Sequence, residues 1–470
     1  MTAPPQPTAI LRGHRTQVHA AAFVRVGSGS DDASSSLDGR LEDRLATGDA
    51  DGFVVLWDLA IVRPRAVWRA HQNSILGLAG WRGDGGDCQV VTHGRDHKLV
   101  VWQLGAAGEA RLSTALPLED GTDSGSQQQQ RPVPWMVHVL EVNTMNFCAF
   151  AWTVSAETQG ETTIQRFVAV PNTLALEAVD IFQLPLQQRI NTVKAGAKDG
   201  MLMALSLFYS SSTLVLIAAF ENGAAVLATL DDGASGSATV RYRAQPHTQP
   251  ILSLDVAPDQ SYFLTSGADG IVAKHPISVG SPVTVAAAPA APQKREPASA
   301  DTAAVSPARP VSLLSAALAK EAAQSTTAST GARNPSRPPP PPLEPETQPL
   351  KIIDTKHAGQ QGLRIRQDGR IFATAGWDGR ARVYSAKTMK EVAVLKWHQT
   401  GCFAVAFAPL AGGSGYNSNT DETSVAKTTR GQGGGSREIS VKERRLRHAA
   451  TAHWLAVGSK DGKVSLWDIF

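Results

Sequence analysis

Residues 453–470 read H-W-L-A-V-G-S-K-D-G-K-V-S-L-W-D-I-F. Leu455 and Val457 alternate with small or polar residues, Asp461-Gly462 supplies a tight turn, and Val464, Leu466 and Ile469 resume the apolar face. This pattern predicts two antiparallel strands joined as a hairpin. An isolated hairpin is marginal in water, so its edges need partners. No residue follows Phe470, so the expectation is that the sheet is completed from the other terminus.

Working outward, the same form recurs. Residues 45–58 read L-A-T-G-D-A-D-G-F-V-V-L-W-D and residues 90–102 read V-V-T-H-G-R-D-H-K-L-V-V-W. Each is strand, turn, strand, with an aspartate in the turn and a tryptophan six residues on: Asp51 and Trp57, Asp96 and Trp102, Asp461 and Trp467. The sixth residue is His275 after Asp269 and Tyr384 after Asp378. Four residues before the aspartate stands Thr47, Thr92, Thr265 or Thr374, with Val457 the exception. A loop histidine precedes each unit: His14, His71, His247, His357 and His398. The segments resemble WD repeats, each one four-stranded blade of a β-propeller.

That resemblance implies that His, Thr, Asp and Trp form a hydrogen-bonded set inside each blade. A turn carboxylate withdrawn from water needs donors, and imidazole, hydroxyl and indole N–H supply them. The same residue types would suit a catalytic triad, but five copies at fixed spacing read as scaffolding. Two further blades are degenerate. One is expected over Trp135 to Trp152 and Phe167 to Leu184, the other over Ile190 to Leu227, where Asn222-Gly223 is a hairpin turn. The fold class is therefore all-β, a propeller of about seven four-stranded blades.

Composition agrees. The 470 residues are 42% hydrophobic and 19% charged, with a net charge of +3. A large core is affordable, and neither direct nucleic-acid binding nor a membrane partner is expected. Cys88, Cys148 and Cys402 are far apart, without the spacing of a zinc site, and read as buried thiols in a reducing compartment. Met1 to Pro7 has no apolar signal segment, and the apolar region from Met201 to Phe220 is broken by Ser210-Ser211-Ser212 into two strands. An intracellular protein is expected, without cofactor, metal or catalytic residues.

Five insertions, at about 27–43, 105–131, 155–161, 278–348 and 410–450, are rich in Ser, Gly, Gln, Ala or Pro and read as disordered loops. Each falls between the first and second or the third and fourth strand of a blade. All five therefore share one face, and the opposite face keeps short loops and is expected to be the docking surface; the alternative is that the long loops fold on a partner. On that face, the residues just before the turn aspartates are Ala50, Arg95, Ala268, Trp377 and Lys460. Trp377, Arg95, Lys460 and Trp397 are the candidate partner-binding residues, because tryptophan and arginine dominate interface energetics; the alternative for the two tryptophans is local packing between blades. Asp123-Ser124-Gly125 lacks the flanking strands of a protease loop, and Gly431 to Gly435 lacks a following Lys-Ser/Thr. Lys442 to Arg447 is a basic cluster assigned to a loop.

The degenerate middle carries a closer resemblance. Asn143 to Phe150 (N-T-M-N-F-C-A-F), Val168 to Ile181 (V-A-V-P-N-T-L-A-L-E-A-V-D-I) and Ala218 to Gly223 (A-A-F-E-N-G) depart from the generic repeat. So do Gln249 to Asp255, Phe263 to Asp269, Lys274 to Ile277 and Gly359 to Arg366. Together they resemble the fungal ASTRA-associated protein 1 family. The resemblance implies a non-enzymatic scaffold of the ASTRA assembly, a nuclear complex linked to chromatin remodelling. It further implies a role in maturing phosphatidylinositol-3-kinase-related proteins. Implied partners are co-chaperones of the Tel2/Tti type, RuvB-like ATPases and a large kinase-related protein. The nucleus is the implied location, with the cytoplasm second. A ubiquitin-ligase substrate receptor, a Gβ-like signalling scaffold and a histone-tail reader remain alternatives on the same fold.

The last blade has three strands, at Cys402 to Phe407, Trp454 to Gly458 and Lys463 to Trp467. Thr8 to Arg12 has the form of the missing fourth. It is expected to pair with Val464 to Trp467, close the ring and remove both open edges.

Overall fold

The computed structural model describes residues 5–27, 41–83, 87–117, 131–142, 147–155, 164–196, 198–230, 238–279, 345–410 and 440–469. Its strands form seven four-stranded antiparallel sheets. The first blade is β1's successor set, β2 (Val18–Gly27), β3 (Leu41–Asp49), β4 (Phe53–Asp58) and β5 (Arg63–Arg69), where β1 is Ala9–Arg12. The second is β6 (Ile75–Arg82), β7 (Cys88–Gly94), β8 (Lys98–Leu104) and β9 (Trp135–Glu141). The third is β10 (Ala151–Val154), β11 (Arg166–Pro171), β12 (Ala178–Leu184) and β13 (Gln188–Lys194). The fourth is β14 (Leu202–Ser210), β15 (Thr213–Phe220), β16 (Ala225–Leu230) and β17 (Ala238–Ala244). The fifth is β18 (Ile251–Val256), β19 (Tyr262–Gly267), β20 (Ile271–Pro276) and β21 (Lys351–Asp354). The sixth is β22 (Gln360–Ile365), β23 (Ile371–Gly376), β24 (Arg380–Ser385) and β25 (Glu391–Lys396). The seventh joins β26 (Cys402–Phe407), β27 (Trp454–Ser459) and β28 (Lys463–Asp468) to β1.

The terminal strand closes the ring. Ala9 pairs with Leu466, Ile10 with Ser465, Leu11 with Val464 and Arg12 with Lys463. Thr8 N–H donates to the Leu466 carbonyl at 2.8 Å. Leu11 is buried between the seventh and first blades with Val464, Leu466 and Trp57. The hydrophobic core lies between the sheets. Seven buried clusters each join two neighbouring blades. The fit is tight: Gly462 has φ +74°, and a Cβ there would stand 2.4 Å from the His14 carbonyl oxygen. The turn of the last blade therefore seats on the loop that opens the first, which a larger residue would prevent.

Two expectations need correction. Trp135–Glu141 completes the second blade, and Ile190 lies in β13, the outer strand of the third. The insertion after β8 separates the fourth strand from its own blade in sequence, so strand spacing alone assigned it to the next. Parts of the insertions are also ordered. Helix α1 (Ala106–Glu109) places Glu109 near Arg44 and Arg65, at 3.6 and 3.5 Å, and Leu112 enters the core of the first two blades. Helix α2 (Val441–Thr451) is capped by Ser440, whose side chain accepts from the Glu443 N–H. The Lys442 to Arg447 cluster is thus helical, and Trp454 Nε1 donates to the Ala449 carbonyl beside it. Residues 28–40, 118–130, 156–163, 280–344 and 411–439, which carry the remaining disorder expectations and the discarded motifs, lie outside the described residues.

Candidate functional site

The polar sets are assembled from each blade's entry loop, second strand and third strand. In the second blade, Trp102 Nε1–H donates to Thr92 Oγ1 at 2.8 Å. His71 Nε2 lies 2.7 Å from the same hydroxyl. His71 Nδ1–H then donates to Asp96 at 2.8 Å. Burial alone would raise the Asp96 carboxyl, but His71 and the Gln72 N–H outweigh it and hold it below the usual range. The fifth blade extends this chain. Tyr242 O–H reaches His275 Nδ1 at 2.7 Å, His275 Nε2 meets Thr265 Oγ1 at 2.9 Å, Thr265 meets His247 Nε2 at 2.8 Å, and His247 Nδ1 meets Asp269 at 3.0 Å. Here His275 takes the tryptophan's place. Burial pushes its pKa down to about 3, so the ring is neutral and can accept from Tyr242.

Three blades depart from the expected sets. In the first, the acid is Asp49, not Asp51. His14 Nδ1 lies 2.7 Å from Asp49 Oδ2, and His14 Nε2 and Trp57 Nε1 each lie 2.8 Å from Thr47 Oγ1. Asp49 stands at the register of Gly94, where a Cβ would meet His71 Cγ at 2.3 Å. A strand-end aspartate there fills the space that a turn carboxylate fills elsewhere, and Asp51 is left half-buried in the turn. In the sixth blade, Arg382 displaces the histidine. It is fully buried and its Nη2 sits 2.6 Å from Asp378 Oδ2, whereas His357 remains half-buried, 3.9 Å from that oxygen. Thr374 is buried there beside Tyr384.

In the seventh, Ser465 supplies the hydroxyl that Val457 lacks, 2.9 Å from His398 Nε2 and 2.8 Å from Trp467 Nε1. Val457 and Ser465 are cross-strand partners, so the hydroxyl has moved one strand over. Asp461 binds Lys463 Nζ at 2.8 Å and is 3.8 Å from His398.

The degenerate blades carry different sets that sequence reading missed. Asn172 Nδ2 donates to both Asp180 oxygens at 2.9 Å, and Thr192 O–H donates to Asp180 Oδ1 at 2.6 Å. In the fourth blade Asp199 is buried with Arg243 and the Asn222 amide. The acid there sits in the entry loop and the amide in the turn, the reverse of the generic order, which hides it from a spacing search.

The entry loops and the turns after each second strand share the short-looped face. The residue before the turn aspartate is locked to its blade's entry loop. Ala50, Arg95, Ala268, Trp377 and Lys460 each donate their backbone N–H to Gln17, Ser74, Pro250, Gly359 and Gly401, at 2.9, 2.8, 3.0, 3.0 and 2.8 Å. These positions present side chains from fixed backbone. Arg95 lies 4.7 Å over the ring of Phe147, an exposed aromatic that the spacing search passed over. Trp377 is 48% exposed, and its indole N–H donates to Gln361 Oε1 at 2.6 Å. Trp377 and Lys460 meet at one cavity of about 390 Å³, with Gln361, Gly401 and Phe403. Trp397 lies outside it, half-buried against the core of the last two blades with its ring edge-on to His398.

No group of three or more His, Cys, Asp or Glu able to hold a metal occurs among the described residues. No described helix is long and apolar enough to cross a membrane. All three cysteines are free and buried, and burial raises each thiol, Cys88 to about 12.

The WD domain, G-beta repeat family matches residues 5–58, 239–273, 348–385 and 443–468. Over nearly its whole length the chain is similar to proteins named ASTRA-associated protein 1. It is 46% identical to that of Pyricularia oryzae over 99% of this chain and 98% of the relative. It is 45% identical to that of Verticillium alfalfae over 99% and 93%. For Penicillium rubens the values are 37%, 99% and 98%.

Proposed function

The chain belongs to the ASTRA-associated protein 1 family of WD-repeat propellers, and from that premise we propose that it is a non-enzymatic scaffold subunit of an ASTRA assembly. In this reading it docks protein partners through its short-looped face. It helps co-chaperones of the Tel2/Tti type and RuvB-like ATPases to mature phosphatidylinositol-3-kinase-related proteins, and it acts in the nucleus on a complex linked to chromatin remodelling. The observation that carries the proposal is near-full-length similarity to relatives named for that association. The way the recurrent His, Thr and Asp groups are consumed supports a structural role, because groups bonded to one another inside blades are withheld from a substrate.

Affinity purification from native cells with mass spectrometry tests it. Co-purification of the co-chaperones, the ATPases and a kinase-related protein is expected; a cullin adaptor in their place would overturn it. Crosslinking the purified complex tests the face. Contacts are expected at Arg95, Trp377 and Lys460, and contacts confined to the insertions would refute that part.

A further inference from the structure

The cavity between the sixth and seventh blades brings two aromatic rings together with the side chains of Gln361 and Lys460. Trp377 and Phe403 line it, and a Cβ at Gly401 would stand 3.2 Å from the Phe403 ring. Both rings are held in place. A Cβ at Gly359 would stand 2.3 Å from the Trp377 ring, so the indole lies directly over that glycine. Phe403 stacks on His19 with centroids 5.3 Å apart and planes 5° off parallel. Pre-positioned aromatic walls lose little freedom when a ligand seats.

Two of the side chains that line it, Gln361 and Lys460, carry N–H donors. Because Trp377 N–H consumes Gln361 Oε1, the Gln361 amide must present its NH2 group. Lys460 is exposed and makes no ion pair or side-chain hydrogen bond among the described residues. The acids that follow these residues in sequence are already engaged. Asp378 is bound by Arg382, and Asp461 by Lys463. Neither is left to neutralise Lys460, and a cationic ligand such as a modified lysine would meet an unpaired ammonium.

Resting on the reading that this face docks protein, we infer that the cavity takes a partner segment in which an Asp or Glu stands beside an apolar side chain. The carboxylate accepts from Lys460 Nζ and the Gln361 amide, and the neighbouring apolar group packs between Trp377 and Phe403. The complementarity is of charge and of surface together, which a bare basic patch would not supply.

The test uses the full chain and an array of short capped peptides. Its members place Asp or Glu next to Leu, Phe or Trp; matched arrays carry Asn or Gln, Lys, or phosphoserine at the acidic position. Fluorescence anisotropy is expected to find ligands in the acidic array, with binding lost by about tenfold or more in the amide array and in Lys460→Glu. Trp377→Ala is expected to weaken the same ligands, while melting temperatures of both variants stay at the wild-type value. Equal binding of acidic and amide peptides, unchanged binding by Lys460→Glu, or binding of phosphoserine peptides alone would overturn the inference. A photo-crosslinker at Arg95 separates the two readings. Partner capture there without peptide binding at the cavity keeps the face and removes the cavity; partner capture only through the insertions removes the face.

Discussion

Replacing Thr92 by valine tests how the blades are held, and the seventh blade tells what should happen next. Thr92 is completely buried and is the shared partner of Trp102 Nε1 and His71 Nε2. Valine keeps the shape and strands both groups. Each buried unpaired group costs about 1–3 kcal/mol. The added methyl returns about 1 kcal/mol, so the net loss is about 1–5 kcal/mol. Thr92 is the cross-strand partner of Val100, which stands two residues before Trp102. Val457 and Ser465 hold the same relation, with Ser465 two residues before Trp467. Val100 is buried in the core of the first two blades, so Val100→Ser alone, which removes two methyl groups and adds a hydroxyl, should cost about 2 kcal/mol or more. In the Thr92→Val, Val100→Ser double variant, the serine hydroxyl takes over both bonds, as Ser465 does for His398 and Trp467. The expected result is a favourable coupling of about 1–3 kcal/mol in a double-mutant cycle. Equilibrium urea unfolding, followed by tryptophan fluorescence, measures it. Additive losses would refute the argument that hydroxyl position, not strand identity, completes the set.

Asp49→Asn should cost about 1.5–3 kcal/mol, the range for hydrogen bonds to a charged group, and Asp51→Asn within about 0.5 kcal/mol; equal thermal shifts would return Asp51 to the set. Leu11→Ala, in the closing strand, should cost about 2–5 kcal/mol, and deletion of residues 1–12 should lower the melting temperature further; an unchanged melting temperature would refute the clasp. Burial holds His93 and His275 near a pKa of about 3, against 6.5 for an ordinary histidine. The unfolded chain therefore binds more protons between those values. Stability should be complete above about pH 6.5 and fall with acid, on the order of 1.4 kcal/mol per pH unit for each ring. His93→Phe should flatten the dependence of the urea midpoint on pH between 7 and 5, and an unaltered slope would contradict the assignment.

The propeller was legible because its information is local and repeated. Asp461-Gly462 with Trp467, and the same spacing at Asp96 and Trp102, need only strand alternation, a turn and one fixed interval. Closure was legible for a related reason. An unfinished edge at β28 and a spare strand before His14 leave one economical pairing, and Ala9–Arg12 makes it. The outer strand at Trp135 falls by sequence spacing to the wrong blade because an insertion hides its membership, which hydrogen bonding alone reveals.

The polar sets divide along the same line. Sequence spacing identified Thr92, His71, Asp96 and Trp102 because each sits at the common interval. Asp49, Arg382 and Ser465 were hidden because a hydrogen bond depends on where atoms end up, and two adjacent strands, or two positions of one turn, bring different residues to one point. The position two before the tryptophan was the available signal, since it lies across from the threonine. By itself, then, the sequence determined the strand pattern, the repeat and the need for closure, all properties of chain periodicity. Only the tertiary structure decided which carboxylate and which hydroxyl complete each set, and that Trp377, Lys460 and Gln361 share one cavity. Those residues lie on two blades, and no interval along the chain encodes the packing that brings blades together.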